Sequence, residues 1–110
     1  MLIDKVENST LITQEKLSII ELVKKLNAIY SEFANDNLII NLVSLVKLTH
    51  KDIIEFLQIS NTHREAKHSF VIVASTIDIN ETPEELIIVP TLQEAHDIIE
   101  MEEMERDLGF

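Results

Sequence analysis

Cysteine is absent from the 110 residues, which removes disulfides, thiolate metal sites and cysteine nucleophiles at once and suits a reducing cytoplasm. Glycine occurs once, as Gly109. Phosphate cradles, dinucleotide fingerprints and nucleophile elbows all need backbone that approaches a ligand without a Cβ, and one penultimate glycine builds none of them. Positive charge is scarce as well: nine Lys and Arg face twenty Asp and Glu, for a formal charge of -11. A chain of that sign repels phosphate backbones and anionic lipid, so neither direct nucleic-acid binding nor membrane attachment is expected. The longest apolar-rich stretch, Leu38 to Val46, is interrupted by Asn41 and Ser44 and falls well short of the roughly 20 residues a bilayer span needs. It reads as a buried strand. Met1-Leu2-Ile3-Asp4-Lys5 lacks the cationic stretch and apolar core of a signal peptide, so a cytoplasmic location is expected.

What remains is an ordinary globular composition, 45% apolar and 26% charged, enough to bury one core in a single domain spanning 1–110. The charge is segregated. Residues 1–77 hold nine acids and eight bases, whereas residues 78–110 hold eleven acids and one base, Arg106. No Pro, Gly or Ser-rich linker divides the two parts, so the imbalance reads as an acidic C-terminal helix or tail, about 91–110, on one domain.

Met1 to Val6 and Thr10 to Thr13, with Glu7-Asn8-Ser9 between them, suggest a β-hairpin or edge strand. From Lys16 onward, Ile19, Leu22, Val23, Leu26, Ile29, Tyr30 and Phe33 recur at three- and four-residue steps and predict a helix, ended by Asn35-Asp36-Asn37. Leu38 to Leu42 and Phe70 to Ala74 are continuous apolar runs that predict central strands covered on both faces. Thr49-His50-Lys51-Asp52 has the form of a capping box and predicts a helix running through Ile53, Phe56, Leu57 and Ser60 to about Ala66. Thr82-Pro83-Glu84-Glu85 leaves room for one helical turn before the strand Leu86 to Val89. Pro90-Thr91-Leu92-Gln93-Glu94 opens a final helix whose apolar side is Leu92, Ala95, Ile98, Ile99 and Met101. Alternating strands and helices predict an α/β fold: a small, mostly parallel sheet of about four to five strands covered by about three to four helices.

Few residues offer chemistry. His50, His63, His68 and His96 lack the spacing of a metal half-site, so solvated surface imidazoles and no metal are expected. Glu100, Glu102, Glu103, Glu105 and Asp107 splay around a helix axis rather than converge, which predicts a solvated acidic face able to steer a basic partner instead of a cation site. Ser44, His50 and Asp52 can be arranged on paper as a hydrolase triad, yet nothing around Ser44 resembles a strained nucleophile turn. The remaining candidate is the strand-to-helix junction Leu48, Thr49, His50, Lys51 and Asp52. In α/β sheets such junctions collect function, because free amides there bind an anion or receive a phosphate. A plain helix cap is the competing reading, and the two stand even.

The closing Ile87-Ile88-Val89-Pro90-Thr91-Leu92-Gln93-Glu94-Ala95 and the order of elements resemble STAS domains, the fold of anti-sigma factor antagonists. Leu38 to Leu57 is similar to that family's hydrophobic strand, Asp-Ser-Ser-Gly turn and apolar helix. The turn falls on Thr49-His50-Lys51-Asp52, with Lys51 or His50 at the phosphoacceptor serine and Asn41 where the family has Asp. Glu100 to Phe110 is similar to small STAS-like proteins of the Bacteroidetes that sometimes carry a tRNA-processing ribonuclease label. The metal motif of such nucleases is missing here. The resemblance implies a STAS-like regulatory docking module, not an enzyme and without a cofactor, whose partner is a protein with a basic surface. Three alternatives stay open: a nucleotide or anion at the Thr49 helix start or phosphorylation of Thr49, association with a tRNA-processing ribonuclease, and a homodimer.

Overall fold

The computed structural model describes residues 1–15 and 18–109. β1 (Leu2–Val6) and β2 (Ser9–Thr13) form an antiparallel hairpin with Leu2 opposite Thr13. Its two-residue loop sets Glu7 at a φ of 57°, the positive φ such loops require of their first central residue. β2 then pairs in parallel with β3 (Asn37–Asn41), β3 with β4 (Phe70–Val73) and β4 with β5 (Ile87–Val89). The sheet order is β1-β2-β3-β4-β5. The predicted α/β class is therefore the observed one: among the described residues, a five-stranded, mostly parallel sheet with four α-helices.

The first helix, α1 (Ile19–Ala28), starts after Ser18, whose hydroxyl accepts the Glu21 amide. The start expected at Lys16 lies outside the described residues. Its end comes sooner than the periodicity to Phe33 predicts, because Ile29 leaves helical geometry and a 3-10 turn at Tyr30–Glu32 follows. The tighter winding carries Phe33 into the core. β3 likewise ends at Asn41, and the remainder of the run to Val46 is loop, because the Asn41 Oδ1 accepts the Val43 amide at 3.2 Å and turns the chain out of the sheet.

The helix expected from Thr49 to Ala66 is two helices, α2 (His50–Ile54) and α3 (Leu57–Glu65). Between them the amides of Glu55 and Phe56 reach back three residues, to the carbonyls of Asp52 and Ile53. That overwinding drives Phe56 to full burial, 6.4 Å from the Phe70 ring. α3 closes with the Lys67 amide on the Arg64 carbonyl and the His68 amide on the His63 carbonyl. This Schellman pattern puts Lys67 at a φ of 69°, a conformation glycine usually fills. Between β4 and β5 there is only a 3-10 turn, Ile79–Glu81, and a turn from Pro83 to Leu86. The last helix, α4 (Leu92–Asp107), is capped by the Thr91 hydroxyl, which accepts the Glu94 amide.

Strand alternation divides the core between two faces. Leu38, Ile40, Phe70 and Ile72 meet α1, α2 and α3 on the first face. Ile39, Val71, Val73 and Val89 meet Ala95 and Ile99 of α4 on the second. The two helical crossovers between parallel strands thus lie on one side, as a sequential order with uniform handedness requires, and the other side is left to α4. Met101, expected on the apolar core side of that helix, is 49% exposed. Ala95, Ile99, Glu102 and Arg106 form the inward stripe instead. Among the described residues no helix is long and apolar enough to cross a membrane.

Candidate functional site

The two ends of the parallel strands differ in kind. At the amino ends, Asn8, Asn37 and Ser69 stand in a row before or at the start of β2, β3 and β4, and α4 runs antiparallel to the strands to reach them. Asn37 Oδ1 accepts the Ser69 amide at 2.9 Å. Glu102 accepts from the Ser69 hydroxyl at 2.6 Å and from Arg64 at 2.7 Å. Arg106 donates to Ser69 Oγ at 3.2 Å and Asn37 Oδ1 at 3.3 Å, and Asn8 donates to Glu103. This edge is a clasp in which every named polar group already has a partner.

His63 belongs to the same edge and is fully buried, not the surface imidazole expected. Its Nε2 lies 2.6 Å from the Asp36 carbonyl oxygen, and its Nδ1 lies 2.6 Å from Tyr30 Oη. A carbonyl only accepts, so Nε2 carries the proton and Nδ1 accepts from the tyrosine hydroxyl. Burial holds the imidazole below its ordinary pKa and pushes the Tyr30 phenol up. The Asp36 carboxylate bonds Lys5 and Thr10, both at 2.9 Å, and the hydrogen bond from Lys5 holds it below the usual carboxylate range. His68 stacks on His63 with centroids 5.3 Å apart. Among the described residues no three His, Asp or Glu side chains group in a way that could hold a metal ion.

The carboxyl ends carry a groove of about 490 Å³, bounded by the segments that follow β2 and β3. Neither a known family model nor any curated protein sequence matches this chain. The groove must therefore be read on its own chemistry. One wall is Glu15, Ser18, Ile19 and Ile20 at the start of α1; the other runs from Ser44 to Leu48 and ends on Asp52. Val46 is 73% exposed and Ile20 54%, so both rims are apolar and wet.

The sequence-derived junction meets this groove only in part. Leu48 and Asp52 line it, whereas Thr49, His50 and Lys51 are exposed and do not. Thr49 is a complete cap: its hydroxyl accepts the Asp52 amide at 3.3 Å, and Asp52 Oδ2 accepts the Thr49 amide at 3.1 Å. The carboxylate already stands at the free amides an anion would need. His50 Nδ1 lies 3.9 Å from Glu81, while Ser44 lines the groove, so the paper triad of Ser44, His50 and Asp52 makes no hydrogen-bonded chain.

The acidic residues of α4 are likewise divided. Glu100, Glu105 and Asp107 are exposed, Glu103 holds the hairpin through Asn8, and Glu102 is turned inward to Arg64 and Ser69. Two groups escaped the sequence reading. The α1 wall of the groove was legible only through topology, since parallel neighbours bring their following loops side by side. The clasp was legible in spacing, because Glu102 and Arg106 continue the stripe of Ala95 and Ile99 at helical steps.

Proposed function

We propose that this chain is a non-enzymatic, STAS-like docking module of the cytoplasm that takes a protein partner at the groove on the carboxyl edge of its sheet. The observation carrying this reading is the contrast between the edges. The polar groups of the clasp at the amino edge are bonded to one another and leave a cavity of about 330 Å³ beside Asn8 and Glu103, whereas the carboxyl edge carries the larger groove, rimmed by the exposed apolar side chains of Ile20 and Val46. The groove's polar lining includes Ser18 and Asp52, held by their cap bonds, and the exposed Ser44 and Lys47, which would set the register of a bound segment. The acidic C-terminal third would speed encounter with a basic surface. Binding of an anion or phosphate at Thr49 has less support, because Asp52 holds that helix start.

Affinity capture with Val46→Asp and with the double variant Glu100→Gln, Glu105→Gln tests the reading. Substitutions are preferred to truncation of residues 100–110, which would also remove Glu102 and Arg106 from the clasp. Val46→Asp is expected to lose the partner at all salt concentrations, and the charge variant is expected to slow capture at low salt only. Equal yield from the Val46→Asp variant would remove the groove from the account.

A further inference from the structure

α4 is apolar on two sides. Ala95 and Ile99 face the sheet, but Met101, Met104 and Leu108, at 49%, 60% and 71% exposure, form a second stripe at helical spacing on the outer surface. From Met101 to Leu108 the stripe runs about 10 Å along the axis. Single exposed apolar side chains are commonplace, but a continuous helical row is the pattern that helix-in-groove recognition uses. Methionine suits such a surface because its unbranched side chain adapts to a partner's shape.

The electrostatics choose the occupant. Arg106, the only base in residues 78–110, is turned inward onto Ser69 and Asn37, so no positive charge is left on the outer face of α4. Glu100 and Asp107 flank the stripe on one side of the helix and Glu105 on the other, all exposed. A second copy of this chain would set those carboxylates against their own kind, and an anionic membrane would be repelled in the same way. We propose that the outer face of α4 docks a cationic amphipathic helix of a partner protein, its apolar side on Met101, Met104 and Leu108 and its Lys or Arg flanks on the acidic rim. This surface lies on the second face of the sheet, and the proposal stands whether or not the groove binds.

Fluorescence anisotropy with the full chain tests it, using a synthetic peptide of Leu and Lys with leucines at helical spacing and a second peptide of the same composition with the leucines scrambled. The ordered peptide is expected to bind at least about tenfold more tightly. The triple variant Met101→Ser, Met104→Ser, Leu108→Ser is expected to erase that preference while keeping the circular dichroism of the parent. Met104→Glu alone is expected to weaken it, and Val46→Asp to leave it unchanged. Equal binding of the two peptides would reduce the surface to charge alone and overturn the proposal. So would a preference that survives the triple variant, or sedimentation as a dimer that Met104→Glu dissolves, since the occupant would then be a second copy.

Discussion

Replacing Glu102 with Ala removes one carboxylate that accepts two hydrogen bonds, from Arg64 at 2.7 Å and Ser69 at 2.6 Å. The Glu102 side chain is 12% exposed and that of Arg64 is 30% exposed, so water replaces part of what Arg64 loses and that contact contributes about 1 kcal/mol. Ser69 is fully buried. Leaving its hydroxyl proton without an acceptor costs about 1–3 kcal/mol. The sum is about 3 kcal/mol, a large part of the roughly 5–15 kcal/mol that holds a domain folded, and corresponds to a fall in Tm of about 10 °C or more. Glu105→Ala removes the same charge from the same helix at an exposed position and should change stability by less than about 0.5 kcal/mol. Urea titrations of both variants, followed by circular dichroism, measure the difference. Equal midpoints would refute the clasp, because the loss would then come from helix charge rather than from the buried bonds.

Other outcomes follow from single features. Burial lowers the folded-state pKa of His63 below its ordinary 6.5, so the unfolded chain takes up the proton first and stability falls as pH drops below about 6.5. His63→Gln should flatten the urea midpoint across that window, and an unchanged slope would assign the titration elsewhere. Lys67→Gly places glycine at the left-handed position after α3 and should stabilise by about 0.5–1 kcal/mol, read as a rise in Tm. Thr49→Ala removes the cap of α2, a helix of five residues, and should cost about 1 kcal/mol with faster amide exchange confined to that helix. Phe56→Ala empties a fully buried site and should cost about 3–5 kcal/mol in chemical denaturation.

The fold was legible where local patterns and burial agree. Leu38 to Ile40 and Phe70 to Val73 are apolar on successive residues because both faces of their strands are covered, and the Thr49 and Thr91 caps act through side chains three residues apart. The break at Glu55 and Phe56 was not legible, because both halves keep helical spacing and only the burial of Phe56 demands the tighter turn. His63 reads as polar in any pattern. Its burial depends on Tyr30 and the Asp36 carbonyl, which lie 33 and 27 residues away in the chain. The inward stripe of α4 changes from Ala95 and Ile99 to Glu102 and Arg106 because the helix runs off the apolar sheet face onto the polar amino ends of the strands. A sequence count of acids cannot distinguish that change from a solvated face.

The order β1-β2-β3-β4-β5 makes strands that are consecutive in the chain neighbours in space. Each pairing closes only the loop between one strand and the next, which favours early formation of the sheet during folding. The bonds of the clasp join residues 32 to 95 positions apart, and the longest of them, from Arg106 to Asn37 and from Asn8 to Glu103, wait for the last helix of the chain. They are expected to form after the transition state and to be intact when unfolding begins, so Glu102 and Arg106 govern how long the native state survives rather than how quickly it is reached. Stopped-flow measurements on Glu102→Ala should show an accelerated unfolding limb with the refolding limb unchanged. A slowed refolding limb would instead place α4 in the folding nucleus.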